Sequence, residues 1–234
     1  MQLYFQEQIK DQQTTILDTN TSKHLVQVLR MKEGDQVMMT DGKGVVAIAT
    51  IQIADKRNTQ VVFSDLQVHS PIKNKLVVAV SFTKNKSRNE WMLEKLVEIG
   101  VAEILPIITQ RTEKEKFNME RCITILQAAM LQSKQYFMPI MHEPIALKKL
   151  DFSAYPQKLV AHCEDQDNKA LIHKILQKGT DTLVLIGPEG DFTVDEISYV
   201  MQQGCVPVSL GTNRLRTETA AIYAATIFNA QNEA

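Results

Sequence analysis

A chain of 234 residues with 26 Lys and Arg against 27 Asp and Glu, a net charge of −1 and 44 % hydrophobic residues is long enough to bury a sizeable core and is not disordered by composition. Its longest apolar runs, LVVAV at 76–80 and TLVLI at 182–186, have strand length and fall short of the ~20 residues of a membrane helix. MQLYFQEQIK, at the start, lacks the basic-then-apolar order of a secretory signal, so a cytoplasmic protein with no membrane partner is expected.

In chain order, SKHLVQVLRMKEGD (22–35) places Leu25, Val28 and Leu29 at helical spacing, with Gly34 positioned to stop the helix. QVMMT (36–40), VVAIATIQI (45–53) and TQVVFSDLQV (59–68) alternate apolar and polar residues as strands do. The DGKG break at 41–44 between the first two is a hairpin signal. Residues 1–70 are therefore read as a small all-β unit and 71–75, within the polar, proline-containing HSPIKNK, as a linker. The period then changes. LVVAVSF (76–82), VAEILPII (101–108), KLVAHC (158–163), TLVLI (182–186) and CVPVSLG (205–211) read as strands. Helices are expected at 88–99, about 118–135, about 168–178, 194–203 and from about 218. Near-continuous apolar strands alternating with helices predict an α/β domain over 76–234, with a parallel sheet covered on both faces. Ser87 with Glu90, and Thr193 with Glu196, match the capping box, and Gly100, Gly179 and Gly204 stand where helices should end.

Charge is unevenly spread. Residues 1–70 hold 7 basic and 8 acidic residues, 71–150 hold 13 and 8, and 151–234 hold 6 and 11, giving −1, +5 and −5. The basic middle fits a polyanion, or equally ordinary solvated helix faces. Cys122, Cys163 and Cys205, an odd number in apolar contexts, fit reduced core thiols. No CxxC or HxxxH spacing occurs and His162-Cys163 has no further ligands in sequence, so no metal site is expected.

In an open parallel sheet the ligand site lies beyond the carboxyl ends of the strands. Two loops there are unusual: IGPEGDF (186–192) and LGTNRLRTETA (210–220). Neither GxxxxGK[ST] nor GxGxxG is present, so the common phosphate cradles are lacking. Glu189 and Asp191 would repel phosphate and tolerate a cation. Backbone groups beside a carboxylate suit an adenosine moiety with a positive centre, such as the sulfonium S-adenosylmethionine; an ordinary tight turn before a helix is the alternative. In the second loop Thr217 suffices as an N-cap. Arg214 and Arg216 are not needed for that, and suit a phosphate or developing oxyanion, or else a surface pairing of Arg216 with Glu218.

IGPEGDFTVDEI (186–197) followed by LGTNRLRTETAA (210–221) resembles the paired signature of the 16S ribosomal RNA uridine-N3 methyltransferase family, within the SPOUT, or α/β-knot, methyltransferases. KNKSRNEWMLEKLVEIGVAEILPIITQRTEK (84–114) is similar to that family's first motif, and HLVQVLRMKEGDQV (24–37) to the start of its PUA-like barrel. The resemblance covers essentially the whole chain. Asn213-Arg214 and Gln132-Ser133-Lys134-Gln135 depart from its pattern, so no role is carried over to Arg214 or Lys134.

The resemblance implies a deep trefoil knot behind a PUA-like, RNA-binding barrel. It implies a homodimer, S-adenosylmethionine as cofactor, and methylation of uridine N3 in the 16S RNA of the assembled small subunit, near the decoding centre. A related enzyme with another base or a ribose 2′-hydroxyl as target is the alternative. The expected cofactor contacts are Ile186, Gly187, Glu189, Gly190, Leu210, Gly211, Leu215 and Thr217. Arg216, Glu218 and Arg88 are the expected catalytic positions, with Lys84 and Lys86 of the first motif and Lys23, Arg30 and Lys43 of the barrel on the RNA. Glu218 and Glu189 are left open between general base, orientation of Arg216 and contact with a cofactor amine.

Overall fold

The computed structural model describes residues 1–113, 116–164 and 169–232. The chain forms two compact units, Met1–Pro71 with Met130–Met138, and Ile72–Ala129 with Pro139–Ala234.

In the first unit, β1 (Leu3–Phe5), β2 (Thr14–Ile16), β3 (Gln36–Thr40), β4 (Val45–Ile53) and β5 (Gln60–Val68) form one sheet in the order β1-β3-β4-β5-β2. β1 runs parallel to β3 and the other pairs are antiparallel. Every second residue, Val37 and Met39, then Ala47, Ala49 and Ile51, then Val61 and Phe63, enters one core, the period-two signature that the alternation predicted. The DGKG hairpin joins β3 to β4 as expected. Gly44 is required there: at φ +103 its added Cβ would lie 2.5 Å from the Phe137 ring. The N-terminal helix departs from expectation. Helix α1 (Thr19–Lys23), capped by Asp18, runs into a π turn at His24–Val28. Leu25 is buried, but Val28 and Leu29 stay exposed, because the wider turn breaks the 3.6-residue stripe. Gly34 lies beyond the helix rather than ending it.

The second unit contains β6 (Leu76–Val80), α2 (Lys86–Ile99), β7 (Glu103–Ile108), α3 (Met119–Gln132), β8 (Ile140–Met141), β9 (Ile145–Ala146), β10 (Gln157–Ala161), β11 (Ala170–Leu171), α4 (Ile172–Ile175), β12 (Thr182–Ile186), α5 (Val194–Gln202), β13 (Val206–Ser209) and α6 (Thr217–Asn232). The last residues of α3 belong to the first unit. The sheet order is β11-β13-β10-β12-β6-β7-β8, with β9 also on β7, and every pair is parallel. Ile197 and Val200 of α5 pack in one cluster with Val77, Ala79, Leu183 and Leu185. α6 lies against α2, β6 and β12, so β6 and β12 are buried at every position. β13 thus lies beyond β10, while the helix that follows it packs against β12 and β6.

Several local expectations change. Asn85, not Ser87, caps α2 by accepting from the Arg88 amide. Glu90 is engaged by Arg121 at 2.9 Å instead of closing a capping box. The helix expected at 168–178 shrinks to α4, because Ala170–Leu171 is drawn into the sheet beside β13; residue 168 lies outside the described residues. Gly179 therefore ends no helix; it donates to Asn232 Oδ1. Cys122 and Cys205 are buried, whereas Cys163 is exposed.

The Thr193–Glu196 capping box is present in full. Glu196 also accepts from the Gln110 amide at 2.7 Å, so it joins the loop after β7 to the start of α5. Replacing Thr193 by alanine is expected to lower stability by about 1 kcal/mol, read as a lower urea midpoint at unchanged slope; an unmoved midpoint would show that the cap contributes nothing.

Candidate active site

Three strands decide where the site lies. Ala161 at the end of β10 is in register with Ile186 of β12 and Val208 of β13, so the three carboxyl ends are level and their loops converge. Between them is a cleft of about 840 Å³, within the ~300–1,000 Å³ of small-molecule sites. Ile186, Gly187, Glu189, Leu210, Gly211, Leu215, Thr217, Arg88 and Arg216 all line it. Gly190 does not: its carbonyl accepts from Arg111 Nη1 at 2.7 Å, and the Arg111 side chain packs where a Cβ would project. Its role is in holding the loop against the β7 side.

The first loop is tightly tied. A Cβ on Gly187 would meet the Phe192 ring at 3.1 Å and Asp191 Oδ1 at 3.2 Å. Asp191 adopts a left-handed φ of +62°, which aspartate tolerates better than most residues. Its Oδ1 accepts from the Phe192 amide and its Oδ2 from the Cys163 amide at 2.6 Å. The carboxylate expected to attract a cation thus staples β12's loop to β10's.

The second loop is joined to the first by Thr217. Helix α6 begins at Thr217 itself, and the buried hydroxyl donates to the Gly187 carbonyl at 3.0 Å. It is therefore not the N-cap that local sequence suggested; its donor is used on a partner 30 residues away. Glu218 does not line the cleft and is equally displaced from its expected partner. Its Oε1 lies 3.7 Å from Arg88 Nε, and Glu189 Oε1 lies 3.7 Å from Arg88 Nη1. Both acids flank Arg88, and Arg216 makes no ion pair among the described residues. Glu218 Oε2 is buried with no hydrogen-bond partner among the described residues. The guanidinium of Arg216, exposed on the cleft, is free to meet an anion.

Residues after β10 were not expected here. His162, Cys163 and Lys169 line the cleft with Asp191 and Arg214. The signal is present in sequence: KLVAHC is a strand whose carboxyl end falls at the rim where ligands bind in such sheets. Among the described residues no group of three His, Cys, Asp or Glu could hold a metal ion, and no helix is long and apolar enough to cross a membrane. Lys84 and Lys86 are exposed, Lys86 lying 3.7 Å from Glu90. Lys23, Arg30 and Lys43 are exposed on the first unit.

The cleft fits an adenosine-type sulfonium. It has apolar walls in Ile186, Val208, Leu210 and Leu215, a carboxylate at Glu189, and the buried ring nitrogens of His162, which have no partner among the described residues.

The model of an RNA methyltransferase domain matches residues 70–229, and that of an RNA methyltransferase PUA domain matches residues 17–64. Ribosomal RNA small subunit methyltransferase E of Bacillus subtilis is 28 % identical over 251 residues, covering 100 % of this chain and 98 % of its own. The protein of that name from Rickettsia conorii is 26 % identical, covering 95 % and 92 %. Among solved structures, a probable rRNA-methyltransferase from Porphyromonas gingivalis superposes with a TM-score of 0.92 at 32 % identity, over 100 % of this chain and 99 % of that one. A candidate methyltransferase from Legionella pneumophila, solved in complex with the bound cofactor SAM, gives 0.84 at 27 % identity, over 98 % and 97 %.

Proposed function

The chain belongs to the RNA methyltransferase family, and on that premise we propose that it transfers the methyl group of S-adenosylmethionine to N3 of a uridine in the 16S RNA of the small ribosomal subunit. The observation that carries this reading is the cleft at three level strand ends, with Arg216, which has no ion pair among the described residues, on its wall. The small-subunit RNA as substrate is supported by the relatives that carry that name, and S-adenosylmethionine by the cofactor-bound neighbour.

The cofactor supplies an electrophilic methyl group on a sulfonium. Ile186, Gly187, Leu210, Gly211 and Leu215 hold it, and Thr217 acts indirectly by fixing Gly187. Uridine N3 is a protonated imide at neutral pH and must lose that proton to attack; the charge then spreads to the flanking carbonyl oxygens. Arg216 stabilises that charge, as a donor aimed at a developing oxyanion does. Arg88 has its charge balanced by Glu189 and Glu218 and serves to shape the wall. Glu218 is proposed to accept the N3 proton; it does not line the cleft but pairs with Arg88, which does, and one of its oxygens is buried with no partner among the described residues. Lys84 and Lys86, and Lys23, Arg30 and Lys43, contact RNA phosphates.

We extend the reading to a homodimer acting in the cytoplasm on the assembled subunit. Trp91 on α2 and Tyr223 on α6 are 46 % and 38 % exposed, on two helices that lie against each other, and these exposed aromatic side chains support a second copy as partner. Small subunits from a strain lacking the enzyme, incubated with labelled donor, should gain one methyl on a uridine N3. Label on a ribose or on another base would replace the target while keeping the cofactor, and no label on any particle would overturn the reading.

A further inference from the structure

His162 follows β10 and is 8 % exposed on the cleft wall, and neither Nδ1 nor Nε2 has a hydrogen-bond partner among the described residues. Buried polar side-chain atoms are almost always paired, and an orphan carries the full desolvation penalty of its group. The backbone around this ring is pinned. The His162 carbonyl accepts from Lys169 Nζ at 2.9 Å, and the next amide donates to Asp191 at 2.6 Å. The backbone carrying the ring is thus held, with both ring nitrogens unspent among the described residues. Burial pushes its pKa below the ordinary histidine value and the Lys169 ammonium acts the same way, against the weaker opposing pull of Asp191 and Glu164. A neutral imidazole offers one N–H and one lone pair. It suits a ligand group that presents both an acceptor and a donor and carries no charge, as a sugar diol or the edge of a purine does. The apolar side chains of Ile186 and Val208, on the strands either side of β10, wall the same cleft.

We propose that His162 is a hydrogen-bonding contact for the uncharged nucleoside portion of the methyl donor, a binding residue with no part in proton transfer. The assignment rests on the reading of the cleft as an S-adenosylmethionine site. Titration calorimetry with S-adenosylhomocysteine, adenosine and methionine tests it. H162L should weaken S-adenosylhomocysteine and adenosine by a common factor of about ten, leave any binding of methionine unmoved, and keep its ligand-free melting temperature near that of the parent. H162Q, which restores a donor and an acceptor, should recover most of the affinity. Unchanged affinity in H162L, or an equal loss in both variants, would overturn the contact. Where H162L does not fold, the parent protein decides the matter: nitrogen-15 signals of the His162 ring must shift when S-adenosylhomocysteine is added, and unmoved signals reject the proposal. A parent protein that binds no S-adenosylhomocysteine at all would instead strike the reading of the cleft.

Discussion

Replacing Arg216 by alanine is expected to lower the rate of methyl transfer about tenfold or more, at least ~1.4 kcal/mol of barrier, while leaving the affinity for the methyl donor nearly intact. The separation follows from the geometry. Arg216 is exposed on the cleft with no ion pair among the described residues, so its removal leaves no protein carboxylate uncompensated. In the proposed mechanism its charge acts where electron density accumulates on the uracil carbonyls. Single-turnover rates with small subunits, beside calorimetric binding of S-adenosylhomocysteine, check both halves, and an unchanged rate would remove Arg216 from the chemistry. Arg88→Ala supplies the contrast. It strands Glu218, already buried with one oxygen that has no partner among the described residues, so that loss should appear in stability and donor binding as well as in rate.

Phe192→Ala is expected to cost about 3–5 kcal/mol of stability, a large fraction of the ~5–15 kcal/mol that holds a typical domain together. Phe192 is fully buried, in a cluster with Leu183, Leu185, Ile197 and Val200. Its ring lies 3.1 Å from where a Gly187 Cβ would stand, so the glycine loop rests directly on it. The cavity left by the change lies under a loop that lines the cleft and is proposed to hold the donor, so affinity for S-adenosylhomocysteine should fall together with the urea midpoint. A variant that keeps the parent's midpoint would show that the loop and core are not coupled through this ring.

What the sequence determined is what local spacing encodes. The period-two runs at 36–68 became β3, β4 and β5, the apolar runs LVVAV and TLVLI became fully buried parallel strands, and Thr193–Glu196 formed its capping box. The rule that ligands gather at strand carboxyl ends was enough to bring seven of the eight expected cofactor positions to one cleft, Gly190 being the exception. The tertiary structure decided the partners. Thr217 and Asn85 show the limit: each stands at a helix start where its own neighbours allow two outcomes, and Thr217 donates across to Gly187 while Asn85 takes the cap that Ser87 seemed to hold. Glu218 meets Arg88, 130 positions away in the chain, and not Arg216, two positions away, for the same reason. The order β13-β10-β12-β6 sets which side chains share a cleft, and that order is fixed by how the strands and helices pack, a long-range competition for burial that no local period records.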